Sequence, residues 1–142
     1  MEEDAVSPIA WTDVIETGVG ELDAEHRTLI GQCNTLIALI QGSNPWAAVV
    51  TAARELALSC HAHFLNEESI LDKSGFPRLD RHKGQHREIE QRLSDLVGFL
   101  SGVDGSSAEH RKAALTARTT VIDILFRHDL DYKSHLQEVA GR

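Results

Sequence analysis

Four stretches of this 142-residue chain place an apolar residue every three to four positions, and histidines and carboxylates interrupt the same stripes. The first reads Leu22, His26, Leu29, Cys33, Leu36, Ile40. The second reads Val49, Ala53, Leu56, Cys60, His63, Glu67, Ile70. The third reads Leu79, His82, His86, Ile89, Leu93, Leu96, Leu100, and the fourth Leu115, Arg118, Ile122, Leu125, Asp129, Tyr132, Leu136. Such spacing is the inward face of an amphipathic helix. Imidazoles and carboxylates cost several kcal/mol on that face unless something pairs with them. Six of them on four seams are expected to meet inside one bundle, and their mixed nitrogen and oxygen chemistry suits a transition metal such as iron.

The breaks between stripes are short and well marked: Gly42-Ser43-Asn44-Pro45, Lys73-Ser74-Gly75-Phe76-Pro77, and Gly102 through Ser107. With three prolines and no alternating Val/Ile/Thr runs, the expected fold is all-α, an up-down-up-down four-helix bundle. Residues 1–19 read as an N-terminal arm packing on the bundle, which spans residues 20–142. Pro45 fits the first turn of a helix beginning at Trp46, with Asn44 as its cap, and Ser107 fits a helix start. Arg118 is expected to snorkel toward the bundle end.

A hydrophobic share of 42% excludes a disordered chain, and a formal charge of −8 without a Lys/Arg cluster argues against nucleic acid as partner. No apolar run is long enough to span a bilayer. The acidic opening Met1-Glu2-Glu3-Asp4 is unlike a secretory leader, so the expectation is a cytoplasmic protein without a membrane partner. Cys33 and Cys60 read as small buried hydrophobes in a reducing compartment.

Two spacings are informative alone. His63 and Glu67, and His82 and His86, are each four apart, so each pair projects from one helix face. With His26 and Asp129 on the remaining seams, the candidate metal set is His26, His63, Glu67, His82, His86 and Asp129. Two Glu-x-x-His repeats, which a ferritin-like oxidase needs, are absent. His82-Lys83-Gly84-Gln85-His86 also lacks the glutamate of a zinc protease.

The ordered motifs resemble the hemerythrin family, in particular its single-domain bacterial members. They are Trp11, Gly18, Asp23-Ala24-Glu25-His26, Asn34-Thr35-Leu36, His63-Phe64-Leu65-Asn66-Glu67-Glu68, Gly75-Phe76-Pro77, His82 with His86, and Asp129-Leu130-Asp131-Tyr132. The resemblance implies two non-heme iron ions joined by an oxo or hydroxo bridge. His26 and His63 would hold one, His82 and His86 the other, with Glu67 and Asp129 bridging both. It implies a protein that binds O2 for storage, delivery or sensing. The alternative is a di-iron enzyme turning over O2, peroxide or nitric oxide at an extra open iron position. No sequence feature names a protein partner.

One departure stands out. Family members carry a fifth histidine five residues before the bridging aspartate, and here that position is Ile124. On a regular helix Ile124 lies off the seam that carries Asp129. His128, about 100° round from Asp129, becomes a substitute donor if the helix widens locally into a π-type turn; otherwise it is exposed or bonded beside the site. Of the remaining residues, His61 and His110 read as solvated, and His135 as a cation near a helix end. Phe64 and Tyr132 read as packing walls of the ligand pocket. Asp23 and Glu68 are candidates to orient ligand imidazoles.

Overall fold

The computed structural model describes residues 5–103, 107–128 and 130–140. After a 3-10 turn at Asp13–Ile15 come α1 (Gly20–Gln41), α2 (Trp46–Lys73), α3 (Leu79–Ser101), α4 (Ser107–Ile122), a π-helical segment (Asp123–His128) and α5 (Leu130–Ala140). The all-α expectation holds, with no strand among the described residues. Helix α1 packs on α2 and α4, and α3 packs on α2 and α4. The π segment and α5 continue the column begun by α4, so the helices form the four columns of a bundle.

The stripes of the first three helices face inward as the periodicity requires. Leu22, His26, Leu29, Cys33, Leu36 and Ile40 are all buried, as are Val49 to Glu67 and His82 to Leu100 along their stripes; only the end positions Ile70 and Leu79 are half-buried. One large apolar cluster fills most of the bundle. A second, smaller one, built on Leu22, Leu71, Phe76, Tyr132 and Leu136, closes the other end. Gly75, with φ +72°, permits the sharp turn after α2 that tucks Phe76 into this smaller cluster.

The fourth stripe is corrected by the π segment. Leu115 is 41 % exposed, while Arg118 and Ile122 are half-buried. Leu125 is buried as its stripe requires, but upstream the buried face is Ala113, Ala114, Ala117, Thr120, Val121 and Ile124, of which Ala114, Ala117, Val121 and Ile124 each stand one position earlier than regular spacing from Tyr132 and Leu136 requires. A π turn takes one extra residue per turn of helix, which rotates everything before it by about 100°. Ile124, expected off the seam, is therefore fully buried in the main core. Phe126, inside the π segment, is 38 % exposed. Deletion of Phe126 is expected to convert the π turn to regular helix and change folding stability by about 1 kcal/mol or less. On an all-α column the same deletion would swing Tyr132 and Leu136 out of the core and cost several times more. Denaturant midpoints of the two proteins separate these outcomes.

Residues 5–19 lie along the bundle. Val6, Ile9 and Ile15 are buried in the main core. The Asn34 amide brackets the Ile9 backbone, accepting from its N–H at 2.7 Å and donating to its carbonyl at 2.9 Å, and Gln41 does the same for Val6. Arg118 does not snorkel to the bundle end; its Nε donates to the Ser7 carbonyl at 2.9 Å. Asn44 does not cap α2 either. Pro45 occupies the cap position, and the Asn44 amide donates to Leu39 O at the end of α1. Both cysteines are buried and neither is in a disulfide, and burial pushes the Cys33 thiol up to about 12, so it stays protonated at neutral pH.

Candidate metal centre

Five of the six candidate ligands converge where the two apolar clusters meet. His26 on α1, His63 and Glu67 on α2, and His82 and His86 on α3 are each at most 2 % exposed. Their donor atoms fall into two groups that share Glu67: His26, His63 and Glu67, then Glu67, His82 and His86. Asp129, the sixth, lies outside the described residues, as does the side chain of His128.

The Glu67 carboxylate is split between the groups. Its Oε2 faces His63 Nε2 at 3.0 Å and His26 Nε2 at 3.9 Å. Its Oε1 faces His82 Nε2 at 2.5 Å and His86 Nε2 at 3.0 Å. Within the first group, His26 Nε2 and His63 Nε2 are 3.2 Å apart. Donors about 2.1 Å from a common metal and roughly 90° apart stand near 3 Å from each other, so these nitrogens already have the spacing of a coordination shell. All four imidazoles present Nε2, the usual arrangement when the other ring nitrogen is held from behind.

His63 and His86 are held from behind in this way. Glu68 accepts from His86 Nδ1 at 2.7 Å, as the sequence suggested. Glu25 accepts from His63 Nδ1 at 2.7 Å and is itself steadied by Asn66 Nδ2 at 2.8 Å. Sequence reasoning passed over Glu25, although its place beside His26 and one turn from Glu21 was a usable signal. Asp23, expected to orient an imidazole, instead ties the arm to α1, accepting from Thr17 N, Thr17 Oγ1 and Gly18 N at 2.8, 2.9 and 3.1 Å.

The pocket walls carry more chemistry than packing. Phe64 stacks on His86, ring centroids 4.1 Å apart and planes within 9°. Tyr132 is fully buried, and its hydroxyl donates to Glu67 Oε2 at 2.8 Å. Tyr132→Phe removes that donor from a buried carboxylate and is expected to cost the metal-free protein about 2 kcal/mol, read as a shifted denaturant midpoint at unchanged slope. A pocket of about 280 Å³ between α1 and α2, lined by Ala24, Glu25, Thr28, Ser59, Ala62 and His63, brings solvent to the rim of the first group.

The other histidines stand apart. His61 is exposed and meets Glu90 at 2.9 Å. His110 is not simply solvated, since it stacks on Trp46 at 4.9 Å. His135 bonds Ser74 Oγ and Ser74 O, each at 3.1 Å, fastening α5 to the turn after α2 rather than serving its own helix end.

Burial pushes the Glu67 carboxyl up, but hydrogen bonds from His26, His63, His82 and His86 outweigh it and hold the group well below the usual carboxylate range. A carboxyl depressed by folding contributes stability above its unfolded value of about 4.3 and loses it as pH falls through the lower folded value. In metal-free protein this contribution is expected to fade only in strong acid. Metal should leave earlier, because ligands must be deprotonated to bind and protons compete with the metal for every imidazole nitrogen as pH falls. Acid titration of loaded protein, followed by metal release and circular dichroism together, should show release first; metal held until the helices melt would contradict the assignment.

A buried carboxylate facing two imidazole pairs gives two donor groups, each able to hold a metal ion, inside a four-helix bundle. Residues 17–139 match the hemerythrin HHE cation binding domain, and the chain belongs to that family. It is 28% identical over 141 residues to a bacteriohemerythrin of Stenotrophomonas maltophilia (strain R551-3), covering 93% of this chain and 86% of that one. It is 29% identical over 97 residues to a bacteriohemerythrin of Pseudomonas paraeruginosa, covering 68% of this chain and 63% of that one. It is 25% identical over 130 residues to a myohemerythrin of Riftia pachyptila, covering 92% of this chain and all of that one. No solved structure matches the chain. Among the described residues no helix is long and apolar enough to cross a membrane.

Proposed function

We propose that this protein holds a non-heme di-iron centre and binds O2 there. The observation that carries the reading is the division of the Glu67 carboxylate, one oxygen toward His26 and His63 and the other toward His82 and His86. In this reading His26 and His63 hold one iron, His82 and His86 the other, and Glu67 bridges them. Asp129 is proposed as the second bridge from its motif, three residues before the tyrosine whose hydroxyl reaches Glu67. Neutral imidazole and carboxylate oxygen suit iron in both oxidation states.

When bound, the iron pair supplies the electrons that reversible O2 binding needs. The chain's own residues set the conditions. Glu25 and Glu68 hold protons on His63 Nδ1 and His86 Nδ1, leaving each Nε2 lone pair aimed inward. The Tyr132 hydroxyl fixes one Glu67 oxygen, and Phe64 and the two apolar clusters keep bulk water away. The family relationship favours binding over turnover. Anaerobically reduced, iron-loaded protein exposed to air should develop a visible charge-transfer band that fades under argon and returns with air. Immediate irreversible oxidation would support turnover instead, and no iron-dependent band would remove the O2 reading.

A further inference from the structure

Arg78, the residue that caps the start of α3, and Gln85 and Arg92 on the helix itself are spaced seven apart and lie along one side of it. The two arginines meet the last helical column. Arg78 Nη2 donates to Asp131 O and Oδ1 at 3.0 and 3.3 Å, and Arg92 donates twice to Asp123 Oδ2 at 2.8 Å. Gln85, between them, has a buried Oε1 with no protein partner. Two further buried atoms on this side of α3 lack one: Asp131 Oδ2, and Nδ1 of the fully buried His82. His82 lies one turn before Gln85, and its ring meets that of Tyr132, the residue after Asp131, edge-on at 5.3 Å.

His63 and His86 each have a carboxylate behind the ring, and His82 Nδ1 has none. With Nε2 given to the metal, a neutral His82 carries its proton on Nδ1, a donor that burial leaves in need of an acceptor. Gln85 Oε1 and Asp131 Oδ2 are acceptors in need of donors. One water satisfies all three: it accepts from Nδ1–H and gives its two hydrogens to the two oxygens, the three-bond coordination typical of structural water. We infer that Gln85 and Asp131 hold a buried water against His82 Nδ1 and thereby act as positioning residues for the metal bound by His82 and His86. This inference rests on the di-iron reading above.

A high-resolution crystal structure of protein loaded with two cobalt(II) ions should show a water within hydrogen-bond distance of His82 Nδ1, Gln85 Oε1 and Asp131 Oδ2; clear density without it overturns the inference. In protein loaded with two cobalt(II) ions, release to a chelator should be about 10-fold faster for one ion in Gln85→Leu and in Asp131→Ala, and unchanged for the other. Gln85→Glu and Asp131→Asn keep an acceptor and should restore slow release. Both ions leaving faster together, or neither, would show a general loosening or no role. If wild-type protein takes up fewer than two ions, the di-iron reading fails; two ions bound with no water at His82 Nδ1 overturns this inference and leaves that reading standing.

Discussion

Glu67→Ala is expected to empty both metal positions at once. Each proposed iron position has two imidazoles of its own, but the same carboxylate faces both, one oxygen to each pair. Removing it takes a ligand from each position and leaves two separate imidazole pairs that cannot share a bridge. His63→Ala should instead weaken the His26 position first, because Glu67, His82 and His86 remain grouped. His61→Ala should change neither, since His61 is exposed and paired with Glu90. Metal content after exhaustive dialysis orders the three variants; equal losses in Glu67→Ala and His61→Ala would remove Glu67 from the bridge. The metal-free Glu67→Ala protein should still fold, because neutral histidines can bond one another, as His26 and His63 do across 3.2 Å.

Ile124→His should have opposite effects on the metal-free and the loaded protein. Ile124 is fully buried in the main core, at the place where family resemblance puts a fifth histidine. Without metal, a histidine there exchanges apolar burial for a polar ring lacking an assured partner, a cost of about 2–4 kcal/mol. With metal, the new imidazole should add a donor to the iron proposed to sit on His82 and His86, and ligand binding to the folded state recovers stability by mass action. The gap between the melting temperatures of loaded and metal-free protein should therefore widen relative to wild type, and chelator release from that iron should slow. An unchanged gap, together with loss of metal in His128→Ala, would show that His128 holds the place and that the alignment of the last column is wrong.

The first three helices were legible because regular α-geometry carries a buried stripe without change of phase from end to end. Every apolar or ligand-type residue between Leu22 and Ile40, Val49 and Glu67, and His82 and Leu100 on those stripes is buried. The fourth misled because a π turn has no signature in hydrophobic spacing; it reads as a regular helix whose upstream half is one residue out of phase. Leu115, Arg118 and Ile122 were assigned inward for that reason, where Ala114, Ala117 and Val121 are buried. The four histidines and Glu67 could be found because a polar residue on an apolar stripe demands a partner. The outer contacts were harder. Glu25 and Asp23 sit two residues apart on the same turn, and only three-dimensional placement shows that the first supports His63 and the second holds the arm. Tyr132 fitted its stripe as a packing residue, and spacing could not reveal that its hydroxyl lands on Glu67.

The central claim is that two metal ions sit in each chain on either side of one carboxylate. Anaerobic titration of metal-free protein with iron(II), followed by desalting and iron analysis, tests it most directly. Two tightly held ions per chain in wild type, falling toward none in Glu67→Ala, is the expected result. Saturation at one ion or fewer in wild type, or two ions retained by Glu67→Ala, would contradict it.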